Sequence, residues 1–306
     1  MRVAIFTDLP GWHGARLRDA FAALGAETVM LSLRDCAIRL RTGAPRLLLP
    51  GFSDGLPDAA FVRGIAGGTL EEVVFRLDVL HALEALGIPV YNNVRAIERS
   101  VDKSLTSFLL AQAGLPTPPT LVTADPAEAR DWVLQQTARG HDLVCKPLFG
   151  SQGEGLARIA KVAQLPGADV VNGVWYLQRF VETAATGASD WRLFVIGGRV
   201  AATMRRSNSV WLTNVAQGGQ CHAGVAEGEH KRLAEGAAAT LGMDYAGVDL
   251  MCDRDGRWWV IEVNSIPAWR GLQGVCGADI ASLLANDLIG RVTMPRSLEP
   301  LSLEAV

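Results

Sequence analysis

The stretch that most constrains this chain lies late in it: Gly247-Val248-Asp249-Leu250-Met251-Cys252, a turn at Asp253-Arg254-Asp255-Gly256, then Trp258-Trp259-Val260-Ile261-Glu262-Val263-Asn264. Two β-type runs around an Asp-Gly turn predict a hairpin. Side chains alternate between faces along a strand, so Glu262 and Asn264 share one face. With a four-residue loop, Cys252 pairs with Arg257 and Asp249 sits opposite Val260, leaving Glu262 as its diagonal neighbour on the same face. Two carboxylates and an amide oxygen then converge among apolar neighbours. Like charges that close resist joint ionisation unless a cation sits between them. All-oxygen ligation suits Mg²⁺, with Mn²⁺ as the alternative, because such an ion keeps few protein ligands and completes its shell with water and substrate phosphates. The competing reading is a surface hairpin whose acids face solvent.

A chain of 306 residues, nearly half apolar and a fifth charged, has the length for two domains, or three small ones, and a sizeable core. No apolar run approaches the length of a membrane span, and the N-terminus reaches Asp8 too early for a secretory leader. Cys36, Cys145, Cys221, Cys252 and Cys276 are odd in number and form no C-x-x-C pair. Neither zinc nor a disulfide framework is indicated, and a reducing cytoplasm is the default. A formal charge of −3 argues against a protein held mainly by nucleic-acid backbone.

Residues 1–98 alternate strand and helix signals, with strands at Val3–Phe6, Thr28–Leu31, Leu47–Leu49 and Ile88–Tyr91 and helices over Leu17–Leu24 and Val73–Leu86. This βαβ rhythm predicts a parallel-sheet domain. Gly11-Trp12-His13-Gly14 reads as a loop just past the first strand, where α/β ligand sites tend to form, but it is no dinucleotide fingerprint. Asp102-Lys103-Ser104 opens a helix, Leu115–Thr120 reads as a linker, and Asp125-Pro126 starts another helix. Leu143–Pro147 is a strand that ends in Lys146 ahead of Gly150, Ser151, Gly153 and Gly155. Glycines let backbone N–H groups approach anionic oxygens and the ammonium adds a point charge, a phosphate-handling pattern that is not the Walker one. Val174–Val181, Asp190–Ile196 and Arg199–Arg206 read as an antiparallel meander carrying Asp190, Arg192 and Arg206; helices follow at 229–241 and Ala278–Ile289.

In this order, Ala96-Ile97-Glu98-Arg99-Ser100-Val101-Asp102-Lys103, the Lys146 loop, Asp190-x-Arg192 with Gly197-Gly198, Arg206, Asn214 and Asp249…Glu262-x-Asn264 resemble the ATP-grasp superfamily, and within it the RimK-like α-L-glutamate ligases. The resemblance covers residues from about 60 to 290 and, weakly, the first strands. It implies an α/β (α+β) ATP-grasp fold: a preATP-grasp parallel-sheet domain over 1–98, a central lid over 99–181, and a C-terminal antiparallel-sheet subdomain with the metal site over 182–306. It further implies that Lys103 and Lys146 contact ATP, that Gln178, Arg179, Phe180 and Val181 form the adenine hinge, and that Asp190 binds ribose. Arg206 and Asn214 would hold the transferring phosphate, and Asp249, Glu262 and Asn264 the Mg²⁺. Two departures stand out. An acid common in the family is Arg179 here, and an arginine two residues before the family asparagine is Leu212, so that one contact is either missing or supplied from elsewhere, with Arg205 the candidate.

The implied reaction is ATP-dependent ligation of an amino acid, L-glutamate or a similar one, to a carboxylate acceptor through an acyl phosphate. Arg192, Arg205 and Arg270 are the candidate contacts for an acidic acceptor, which could be a small molecule, a cofactor or a protein tail. Family members often form homo-oligomers; no nucleic acid or membrane partner is expected. Taken alone, Lys103 is a surface lysine at a helix start, Arg192 and Arg206 pair with strand acids, Arg270 stacks on Trp269, and Trp258-Trp259 is half core, half cover. Phosphotransfer to a hydroxyl and non-catalytic ATP binding are the rival functions. Asp249→Asn is expected to suppress turnover while sparing the fold.

Overall fold

The computed structural model describes residues 1–40, 46–150, 153–183 and 188–293. The N-terminal part runs β1 (Arg2–Phe6), α1 (Gly11–Ala23), β2 (Glu27–Leu31), β3 (Ala37–Arg39), β4 (Arg46–Leu48), β5 (Ala59–Val62), α2 (Leu70–Ala85) and β6 (Val90–Tyr91). Its parallel sheet has the order β2-β1-β5-β6. Alternation along β1 and β5 separates two apolar layers: Val3, Ile5 and Phe61 meet Leu17 and Phe21 of α1, whereas Ala4, Phe6, Ala60 and Val62 meet Val79, Leu80 and Leu83 of α2. Two expectations need correction. The Leu47 run belongs to a separate β3–β4 hairpin, and the strand beside β1 is β5. Gly11-Trp12-His13-Gly14 forms the first turn of α1 rather than a loop.

Next come α3 (Val94–Val101) and α4 (Lys103–Gln112), the latter capped by the Asp102 carboxylate on the N–H groups of Ser104 and Leu105. Then follow β7 (Thr120–Thr123), α5 (Pro126–Ala138), β8 (Leu143–Lys146), β9 (Ala157–Ile159) and β10 (Trp175–Arg179). These strands form an antiparallel sheet of order β7-β10-β8-β9, covered by Ala129 and Val133 of α5. The run at 174–181 is therefore a strand of this small sheet, between β7 and β8, and not part of a meander with the strands after it.

The last part runs β11 (Ala188–Ile196), β12 (Arg199–Asn208), β13 (Gln220–Ala223), α6 (Gly228–Leu241), β14 (Tyr245–Cys252), β15 (Trp258–Asn264), α7 (Arg270–Gln273) and α8 (Ile280–Thr293). The five strands pair as β13-β12-β11-β14-β15. One face buries Leu193, Val195, Val248 and Leu250 under α6; the other carries Phe194, Met204 and Tyr245 toward α8, which lies along α1. Polar contacts fix this sheet to the N-terminal one. Tyr245 Oη donates to the Val62 carbonyl at 2.8 Å, and Asn92 Nδ2 donates to the carbonyls of Tyr245 and Ser265, both at 2.7 Å. Among the described residues no helix is long and apolar enough to cross a membrane, and all five cysteines are free.

Candidate active site

A cleft of about 870 Å³, part of it open to solvent, lies between the small sheet and the large one. One wall is β8 and β10 with the loop behind them: Val144, Lys146, Pro147, Gly150, Gly153, Leu156, Gln178 and Phe180. The other is the large sheet and its loops, with Asp190, Arg206, Trp211 to Asn214, Asp249, Met251, Ile261 and Glu262, while Lys103 reaches in from the start of α4.

The β14–β15 hairpin places both acids, by a route the sequence did not give. Cys252 pairs with Trp258, so the loop has five residues, and Leu250 pairs with Val260. A β-bulge then leaves Ile261 unpaired, which puts Asp249 directly opposite Glu262 rather than opposite Val260. The expected shared face survives, with the two carboxylates closer than the diagonal pairing implied.

Asp249 is the hub of an ion cluster. Arg192 faces it across β11–β14 and donates from Nε at 2.5 Å and from Nη2 at 2.6 Å, a bidentate pair. Arg206 lies 3.0 Å from the same carboxylate and is bidentate to Asp190, its direct partner across β11–β12. All four side chains are buried. Burial pushes the Asp249 carboxyl up, but Arg192 and Arg206 together outweigh it and hold it below the usual carboxylate range. Burial opposes the charge on Arg206; Asp249 and Asp190 more than offset that and raise it above its ordinary value.

The lysines are less evenly matched. Lys146 Nζ donates to Gln178 Oε1 at 2.7 Å and lies over the Tyr176 ring, with no carboxylate in contact among the described residues. Burial lowers its pKa to about 8, against a weaker pull from Glu262. Gln178 is held in turn by its own amide N–H donation to Thr120 and Tyr176. Lys103 Nζ donates to the Gly150 carbonyl at 2.7 Å and lies 4.0 Å from Glu262; burial lowers its pKa too. Gly153 has φ +77°, and a Cβ there would lie 2.8 Å from Asn214 Oδ1, so only glycine lets this loop close on Asn214.

The N–H groups of Arg179 and Phe180 already bond to the carbonyls of Pro119 and Asp142, both at 2.8 Å. Arg179 turns its guanidinium over the Trp259 ring. The cleft holds thirteen of the expected residues: Lys103, Lys146, Gly150, Gly153, Gln178, Arg179, Phe180, Val181, Asp190, Arg206, Asn214, Asp249 and Glu262. Arg192 and Asn264 do not line it: Arg192 is bonded to Asp249, and Asn264, on the strand face of Glu262, donates from Nδ2 to the Gly247 carbonyl at 3.4 Å; Gly155 packs on Pro147. Ser151 lies outside the described residues.

One expectation does not fit the geometry, and a second residue lies away from the cleft. Arg205 is exposed and opposite Trp191, on the α6 side of the sheet, so it cannot replace the arginine missing at Leu212; Leu212 itself lines the cleft. Arg270 is exposed at the start of α7, outside the cleft, and Trp269 is fully buried under Arg63 rather than stacked on Arg270. Met251, Ile261 and Trp211 were missed. Alternation from Asp249 points to Met251, whereas Ile261 depends on the bulge and Trp211 on a loop without regular spacing.

Known proteins give the same picture. The profile of the RimK preATP-grasp domain matches residues 1–97 and that of the RimK-like ATP-grasp domain residues 100–288. The tetrahydromethanopterin:α-L-glutamate ligase of Methanosarcina acetivorans is 32% identical over 92% of this chain and 96% of its own length. That of Methanococcus maripaludis is 36% identical over 75% of this chain and 78% of its own. The fold superposes on the ATP-grasp ligase PsnB complexed with minimal precursor, with a TM-score of 0.72, 22% identity and coverage of 95% of this chain and 98% of that one. D-cycloserine synthetase DcsG gives 0.71 at 20% identity, covering 95% and 100%. The chain belongs to the RimK-like ATP-grasp ligases.

Proposed function

We propose that this ligase joins the amino group of L-glutamate to a carboxylate acceptor, using ATP and Mg²⁺ and passing through an acyl phosphate. The observation that carries the reading is the half-buried Lys146 ammonium, whose hydrogen bond goes to a neutral amide although Lys103, Arg206 and four carboxylates share its cleft. A desolvated cation beside a glycine loop calls for an anion, and a triphosphate supplies one. The names of the archaeal and bacterial relatives support glutamate as the amine substrate.

The donor set also fits a hard divalent cation. Glu262 projects into the cleft opposite Asp249, and Asn264 shares its strand face two residues on. Glu262 and Asn264 would hold the ion together with the one lone pair on Asp249 Oδ1 that the arginines leave free. When bound there, Mg²⁺ supplies charge neutralisation across the phosphate oxygens. The apolar wall of Val144, Leu156, Phe180, Met251 and Ile261 takes the base, and the Val181 N–H, which has no described partner, is the hinge donor to it.

Lys146 and Arg206 then offset charge as the acceptor carboxylate attacks the γ-phosphorus and ADP leaves. The glutamate nitrogen attacks the acyl carbon, the acyl–phosphate C–O bond breaks, inorganic phosphate departs, and the ammonium proton passes to solvent. Positioning supplies most of the acceleration, since the chain need form no covalent bond itself. Cell extract supplied with ATP, Mg²⁺, isotopic glutamate and the enzyme should yield products heavier by labelled glutamyl residues; tetrahydromethanopterin, the acceptor in the archaeal relatives' names, belongs in the same screen. ADP release with phosphorylated, unlabelled products would replace ligation by phosphotransfer.

The state of Lys146 gives a second test. Its pKa of about 8 means that the free protein carries much neutral amine above pH 8, and a triphosphate alongside raises that pKa. Nucleotide binding should therefore take up protons at pH 8 to 9 and almost none at pH 6. Calorimetry in buffers of different ionisation enthalpy measures this, and Lys146→Arg should abolish the uptake. Proton release at pH 8.5 would contradict the assignment.

A further inference from the structure

A second cationic cluster lies outside the ATP cleft, at the C-terminal edge of the parallel sheet. Arg63 follows β5 directly, and its guanidinium carbon sits 5.2 Å from the centroid of the fully buried Trp269 ring. The Arg63 Nε–H is buried without an acceptor, and Arg63 forms no ion pair among the described residues. The Trp269 indole N–H is a second orphan donor in the same cluster. His13, from the first turn of α1, meets the Trp269 ring edge-on at 4.5 Å, and its Nε2 accepts the Trp269 backbone N–H at 3.2 Å. That bond fixes Nδ1 as the protonated nitrogen, another donor. Burial, with the charges of Arg63 and Arg270 near His13, disfavours a charged imidazole there, and Arg270 directly follows Trp269 in the chain. Buried donors left unpaired are costly, so such a grouping calls for an acceptor from outside the chain.

The cluster borders the catalytic cleft. A Cβ on Gly271, the residue after Arg270, would lie 3.0 Å from Cys221 Sγ and 3.7 Å from Val215, and Cys221 is the strand partner of Arg206. On the other side, Phe194, two residues beyond Arg192 on the same face of β11, packs on Trp269. Resting on the ligase reading above, we infer that Arg63, with His13 and Arg270, holds a carboxylate that does not react: one carried by the amino-acid substrate or by an acidic acceptor, anchored while its reacting end reaches Arg206. A guanidinium fork over an aromatic ring suits a planar carboxylate and gives the N-terminal domain a direct part in substrate choice.

The full-length protein with Mg²⁺ and a non-hydrolysable ATP analogue should be titrated calorimetrically with L-glutamate and, separately, with N-acetyl-L-glutamate, which has no amine to ligate. Arg63→Met should weaken carboxylate binding roughly tenfold to a hundredfold, and Arg270→Met less, with nucleotide affinity unchanged. A loss confined to L-glutamate assigns the site to the amino-acid substrate; a loss for both probes assigns it to the acceptor. Wild-type affinities for both probes in Arg63→Met, or no binding of either by the wild type, overturns the inference. If Arg63→Met fails to bind nucleotide, Arg270→Met decides by the same outcomes. Failure of the ligase reading looks different: Arg63-dependent carboxylate binding would persist while labelled glutamate never entered product.

Discussion

Asp249→Asn should destabilise the protein by about 3–5 kcal/mol as well as silencing it, the cost of leaving buried charge uncompensated. Asparagine keeps the shape but removes the negative charge that Arg192 and Arg206 share, leaving two buried guanidiniums with Asp190 alone. Urea unfolding would show the loss as a lower midpoint. Arg192→Met added to Asp249→Asn should recover part of it, because the two positions are direct cross-strand partners. A single variant with wild-type stability would mean that the cluster does not hold the sheet together. The buried pairings correct the expectation that the substitution spares the fold. It also disqualifies Asp249 as a clean probe of metal binding.

Glu262→Gln is the clean probe, and the largest separation of activity from stability is expected there. Its carboxylate is partly exposed, and among the described residues its one ion-pair partner is Lys103 at 4.0 Å and no arginine pairs with it. Turnover should fall on the order of a hundredfold or more, the usual loss when one preorganised charge contact goes. Stability should change by no more than about 0.5 kcal/mol, as at surface positions. ADP release with saturating ATP, set beside the unfolding midpoint, measures both. Near-normal turnover would remove Glu262 from the proposed metal set.

How far the chain could be read depended on how local each feature was. Val3–Phe6 and Leu143–Lys146 announce themselves by short apolar runs next to helix signals, and both are strands. Ala59–Val62 was overlooked because two alanines dilute the β signal, although it is buried throughout and central. Sheet membership was the least legible property: nothing in Trp175–Arg179 says that it pairs with Thr120–Thr123 rather than with the strands after it. The same limit applied to the site. Lys146, Asp249 and Glu262 stood out by residue type and spacing, but the Arg192–Asp249 pair follows from a register between strands more than fifty residues apart. Arg205 was misjudged because neighbouring strand residues point opposite ways, and Arg206 has the cleft. Arg63 gave no signal, as a lone arginine after an unrecognised strand.

The unpaired Ile261 makes the hairpin sensitive to odd and even. A five-residue turn by itself would carry Glu262 to the greasy underside against α6, where Leu250 and Val260 lie. The extra residue restores the parity, so turn and bulge are coupled errors that cancel. Relatives of this chain can lengthen or trim that turn freely only by twos; a change of one has to be matched inside the strand, or the acid ends up beneath the sheet.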